Sequence, residues 1–152
     1  MKSPCHAHRL RLGRYSCEGQ IYLLTAVVRN RRPVFSTFAA GRLAVNAFQK
    51  AEQEQLAKSL AWVVMPDHIH WLIELQNSTL PSLMGRTKSR TTVGLNRLLE
   101  MEGTLWQSGF HDRAIRREED LQAVARYIVA NPLRAGLVKK IGDYPLWDAI
   151  WV

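Results

Sequence analysis

The sequence predicts one α+β sandwich, an antiparallel sheet with helices packed on it, and three observations carry that prediction. Strand-like and helix-like periodicities follow one another in the order strand, helix, strand, strand, helix, strand, helix. Two of the strands flank a two-residue turn signal. The chain has 152 residues, 47% of them hydrophobic, enough for one sizeable core and too few for two comfortable domains.

Residues 1–20 mix Arg, His, Gly and Ser without periodicity and read as an extended basic arm. Residues 21–28 are rich in β-branched and aromatic side chains, the composition of a buried strand, and residues 29–33 break it. Over residues 37–56, Phe38, Ala44, Val45, Phe48 and Ala51 recur at helical spacing, while Arg42, Asn46, Gln49 and Lys50 fall largely elsewhere, which predicts an amphipathic helix. Residues 60–65 and 68–75 are apolar, β-rich runs separated by Pro66-Asp67. Proline presets φ and aspartate bonds its own backbone, so the two runs read as a β-hairpin.

Helical spacing resumes over residues 80–100, after hydroxyl residues able to cap and with Pro81 in the first turn. Residues 105–115 alternate aromatic and polar side chains and include a short strand ending near Ile115. Glu118, Glu119 and Asp120 open a last helix with negative charge that complements its macrodipole. Leu121, Val124, Ala125 and Ile128 form its apolar stripe, and Pro132 is expected to end it after Asn131. The tail, with Tyr144, Trp147 and Trp151, is too aromatic for disorder and is expected to pack on the core. This order, without a repeat or a low-complexity linker, is that of a ferredoxin-like sandwich with an additional C-terminal helix that carries a tyrosine. It divides the chain into an arm (1–20), a domain (21–138) and a packed tail (139–152).

The net charge of +8 points to an anionic partner, and its distribution says more. Residues 1–50 hold nine Lys or Arg against the single acid Glu18, whereas residues 51–100 carry five against five and residues 101–152 seven against seven. The longest apolar stretches fall short of the roughly 18 residues of a membrane-spanning helix, and no secretory pattern is visible. A cytoplasmic, nucleoid-associated protein with no membrane partner is the expectation. Cys5 and Cys17 match neither a redox pair nor a paired-knuckle zinc site and read as free thiols.

His68-Ile69-His70 is the sharpest local feature. Side chains two apart on a strand share a face, roughly 6.6 to 6.8 Å apart at Cα, so two imidazoles can converge on one ion or sit as satisfied sheet histidines. Tyr127 and Asn131 are four apart on the predicted last helix, at the edge of its apolar stripe. They read either as a phenol shown to a cleft with a hard amide-oxygen ligand beside it, or as an interface aromatic followed by a capping residue.

Three ordered blocks bear on that choice. They are residues 64–72, centred on Pro66-Asp67-His68-Ile69-His70; Trp106-Gln107 with Phe110-His111-Asp112-Arg113; and residues 125–138, which contain Arg126-Tyr127 and Asn131-Pro132-Leu133-Arg134-Ala135-Gly136. Together they resemble the single-tyrosine HUH transposases, and more narrowly the REP-associated tyrosine transposases, over roughly residues 19–138. Asp67 stands where such relatives often carry asparagine, a departure that affects a turn.

The resemblance implies that His68 and His70 bind a divalent metal, Mg2+ or Mn2+, that Asn131 stands where relatives place a third polar ligand, and that Tyr127 is the nucleophile. It implies single-stranded, hairpin-forming palindromic DNA as partner, and nicking and rejoining through a covalent 5′-phosphotyrosine, by a monomer or a homodimer. Arg9, Arg11 and Arg14 on the arm, with Arg86, Lys88, Arg90 and Arg97 on the second helix, are the candidate DNA contacts, and Trp106, Phe110 and His111 are candidates for base stacking. The alternatives are a non-catalytic nucleic-acid-binding or regulatory protein on the same fold, and a metal hydrolase in which water is the nucleophile.

Overall fold

The computed structural model describes residues 16–116 and 118–151. Five strands, β1 (Ile21–Val27), β2 (Ala57–Met65), β3 (His68–Leu75), β4 (His111–Ile115) and β5 (Trp147–Ala149), form one antiparallel sheet in the order β4-β1-β3-β2-β5. The helices are α1 (Phe38–Gln53), α2 (Leu80–Leu99), α3 (Glu118–Val129) and the short α4 (Asn131–Arg134). The predicted order of elements holds. Residues 1–15 of the basic arm, with Arg9, Arg11 and Arg14, lie outside the described residues, whereas its last residues are tied to the sheet, the Gly19 N–H donating to the Leu75 carbonyl at 2.7 Å.

Each sheet face has its own core. On one face Leu24, Ala26, Ile69, Trp71 and Ile73 pack against Ala44, Phe48, Leu83 and Leu95 of α1 and α2, and the Trp71 ring stacks on Phe48 at 4.6 Å. On the other, Ala61, Val63, Met65 and Leu72 meet Leu121, Val124, Ala125 and Ile128, the predicted stripe of α3. Burying each of the Val, Leu, Ile and Met side chains contributes roughly 1.5–3 kcal/mol, so α3 is held by a real core. A bulge between Ser59 and Ala61 switches the faces within β2. Ser59 accepts the Trp71 indole N–H at 2.8 Å on the α1/α2 side, whereas Ala61, Val63 and Met65 face α3.

Thr37 and Thr79 cap α1 and α2, each accepting a backbone N–H with its hydroxyl at 3.2 Å, and Pro81 sits in the first turn of α2. The tail packs in part, since residues 147–149 add strand β5 beside β2, Leu146 is buried and the Tyr144 hydroxyl donates to the Val64 carbonyl at 2.5 Å, whereas Trp151, expected on the core, is exposed. Two readings need correction. Cys17 is disulfide-bonded rather than a free thiol. Pro132 does not simply end a helix, because α3 stops at Val129 and Asn131-Pro132 open α4, where a proline without an N–H costs nothing in the first turn. No helix among the described residues is long and apolar enough to cross a membrane.

Candidate active site

The hairpin turn Pro66-Asp67 sets the register that builds the site. It places Met65 opposite His68 and Val63 opposite His70, and on the other side β1 presents Val27 and Thr25 to the same two residues. Partners in register share a face, so both histidines look out on the side of Leu72, the side that α3 covers. Their ring centroids are 5.0 Å apart, edge to face.

One nitrogen of each ring is engaged. Asp67 Oδ1 lies 2.7 Å from His68 Nδ1, and a carboxylate oxygen only accepts, so Nδ1 carries a proton and Nε2 is the nitrogen left to face a metal ion. His70 Nδ1 pairs with the Thr25 hydroxyl at 2.8 Å. Burial, with the neighbouring His68 and Arg134 charges, pulls the His70 pKa down to about 4, so this imidazole is neutral near pH 7 and ready to ligate.

This donor set fits a divalent cation with open positions. Among the described residues no cluster of three or more His, Cys, Asp or Glu side chains gathers, and an amide oxygen is a hard ligand that can join two imidazoles. Asn131 is the candidate. Its side-chain nitrogen is buried without a hydrogen-bond partner, and turning the amide by 180° would put its carbonyl oxygen there.

Tyr127 stands on α3 outside the buried stripe, with 63% of its surface exposed. The Arg134 guanidinium covers its ring, 3.8 Å from the centroid, and the same charge helps lower the His70 pKa. Arg134 thus links the tyrosine and the histidine pair. Asn131 lies beyond the end of the tyrosine's helix, in α4, rather than one turn along it as the spacing predicts.

The comparisons with known proteins give the family and the fold. The family model described as IS200-like transposase matches residues 16–131. The chain belongs to the IS200-like transposase family. It is 30% identical over 136 residues to a REP-associated tyrosine transposase of Escherichia coli K12, covering 87% of this chain and 78% of that protein. A Haemophilus influenzae relative is 26% identical over 139 residues, covering 84% and 78%. The solved structure of a REP-associated tyrosine transposase bound to a REP hairpin superposes with a TM-score of 0.73 at 26% identity, over 88% of this chain and 79% of that one. A Deinococcus radiodurans structure shares the fold, with a TM-score of 0.54 at 19% identity over 84% and 95%.

The cations predicted to meet DNA are spread out in this transposase. Arg86, Lys88, Arg90 and Arg97 lie on α2, across the sheet from the histidines. Arg86 and Arg97 are exposed. Arg90 pairs with Glu54 at 2.8 Å, and the Lys88 ammonium donates to the backbone carbonyls of Gln107, at 3.0 Å, and Gly109. Trp106 is buried, its ring 5.7 Å from Phe35, whereas Phe110 is half-buried and His111 exposed.

Sequence reasoning missed three members of the site. Thr25 carries no motif, and only the β1–β3 register brings it to His70. Asp67 was legible as a turn residue but not as the partner of His68. Arg134 sits inside the third block, seven residues after Tyr127, a spacing that a continuous helix extended through Asn131 would have put two turns away.

Proposed function

We propose that this chain is a metal-dependent transposase that nicks and rejoins single-stranded DNA at the foot of hairpin-forming palindromes, with Tyr127 as nucleophile. The observation that carries the reading is the pairing of His68 and His70 on the sheet face that the tyrosine helix covers. The name of the superposed relative, which is bound to a REP hairpin, supports hairpin DNA as the substrate.

His68 and His70 would hold Mg2+ or Mn2+, with Asn131 as the candidate third ligand. When bound there, such an ion would supply positive charge to offset that of the scissile phosphodiester. The Asp67 and Thr25 contacts keep both imidazoles turned for that task. Tyr127 Oη attacks phosphorus in line, forming an O–P bond as the bond to the upstream 3′-oxygen breaks. That oxygen leaves as a 3′-hydroxyl after taking a proton, and the phenol proton goes to a base or solvent. The 5′-phosphotyrosine keeps the bond energy, so an incoming 3′-hydroxyl can reverse the step and release the phenol without ATP. Arg134, stacked on the Tyr127 ring, restricts it and adds positive charge where the phosphate must lie.

The test is an SDS-resistant adduct between the protein and a hairpin oligonucleotide with a single-stranded foot, in Mg2+ or Mn2+. Wild type is expected to form it and Tyr127→Phe to form none. Hairpin binding with no adduct from wild type would favour the non-catalytic reading. Retained cleavage in Tyr127→Phe would favour water as nucleophile.

A further inference from the structure

The block from Trp106 to His111 takes no part in the chemistry above, yet it is built with care. The Trp106 indole N–H donates to the Lys88 carbonyl at 3.3 Å, and residue 106 forms an isolated bridge to Val28. The Gln107 N–H donates to the Val27 carbonyl at 2.9 Å. Lys88 reaches the carbonyls of Gln107 and Gly109. Gly109 has φ of 74°, a left-handed turn that a side chain would strain. The loop is therefore tied to both α2 and β1. Between it and β1 lies a pocket, with Thr25 and Val27 on one wall and residues 107–111 on the other.

Thr25 belongs to this pocket and to the histidine pair at once, since its hydroxyl partners His70 Nδ1. His111, Thr25 and His70 follow one another in register across β4, β1 and β3. The pocket thus opens one strand away from His70, roughly 4.8 Å.

We propose that this pocket takes the unpaired base of a nucleotide adjoining the scissile phosphate, and so sets the sequence preference of cleavage. The inference rests on the transposase reading and adds where a base is read. A base has a flat face and a hydrogen-bonding edge. The exposed His111 imidazole offers a surface for the face, and the Gln107 amide and Ser108 hydroxyl offer donors and acceptors for the edge. A phosphate fits less well, because Lys88, the cation at this loop, is engaged by backbone carbonyls. The pinned backbone gives the pocket a fixed shape, as discrimination between bases requires.

Two readouts test the proposal, using Gln107→Ala and His111→Ala in the full chain. In the first, hairpin oligonucleotides carry each of the four bases, or an abasic site, at every position of the single-stranded foot, and adduct formation is compared. Wild type should discriminate roughly tenfold at one position next to the cleaved bond. Both variants should bring the four bases at that position closer together, and an abasic site there should weaken wild type far more than His111→Ala. In the second, 2-aminopurine is placed at each foot position and its fluorescence is followed on binding. One position should respond in wild type and lose the response in His111→Ala. If both variants keep the wild-type preference at every position and the same 2-aminopurine response, the proposal is overturned. If wild type forms no adduct on any hairpin, the nuclease reading fails, and the fluorescence readout still decides the pocket.

Discussion

The Asp67 carboxylate accepts the Nδ1 proton of His68 at 2.7 Å, and its second oxygen receives Arg31 at 3.3 Å. Read from sequence, Asp67 only completes a tight turn; in the fold it also fixes the tautomer of a candidate metal ligand. Although burial opposes it, the hydrogen bond from His68 and the Arg31 charge leave the Asp67 pKa below its ordinary value, so the carboxylate is ionised near pH 7. Partners of this kind hold about 10- to 100-fold in metal affinity. Asp67→Ala is expected to lose that much in Mn2+ titrations followed by electron paramagnetic resonance, and Asp67→Asn, which keeps an acceptor oxygen, to lose less. Equal affinities in all three proteins would remove Asp67 from the site.

Arg134 over Tyr127 predicts a rate effect. A cation on an exposed aromatic face contributes about 0.5–1 kcal/mol, so Arg134→Ala should slow single-turnover adduct formation about two- to fivefold or more. Lysine lacks the planar stacking surface and should restore only part of the loss. A rate unchanged in Arg134→Ala would show that the stacked guanidinium does not seat the nucleophile.

His70 predicts a pH dependence of stability. Its folded pKa, about 4, lies below the unfolded value near 6.5, so the unfolded chain binds more protons between those limits. The stability associated with neutral His70 is fully present above about pH 6.5 and is lost as pH falls toward 4, by up to about 3 kcal/mol. Metal-free denaturant titrations from pH 7 to 4 check this against His70→Asn, whose slope in that window should be shallower. Identical slopes would mean that His70 is not buried neutral.

Gly41 on α1 faces Leu146, and a Cβ at residue 41 would collide with the end of that side chain. Gly41→Ala should therefore destabilise by about 1–3 kcal/mol through overpacking. The cost should shrink in a Leu146→Ala background, since the obstacle is then gone. A full penalty in both backgrounds would deny that the tail packs on α1.

The fold was legible where periodicity was long. β1, the hairpin, α1, α2 and the apolar stripe of α3 all stand where alternation, turn chemistry and helical spacing put them. The short pieces were not legible, because β5 has three residues and no alternation to read, and α4 begins at a proline that also reads as a stop. The same limit applies to the site. His68 and His70 share a face because two residues on one strand must, whereas Thr25, Asp67 and Arg134 reach them through register and rotamers, which no single segment encodes.

The most direct test of the central claim is covalent capture on a hairpin oligonucleotide labelled separately at its 5′ and 3′ ends, with Mg2+ or Mn2+. The account predicts an adduct through Tyr127 that retains the 3′-side fragment and releases a 5′-side fragment ending in a free 3′-hydroxyl. It predicts no adduct from Tyr127→Phe, His68→Ala or His70→Ala, all three still binding the hairpin. An adduct formed by Tyr127→Phe, or formed equally well by the histidine variants, would contradict it.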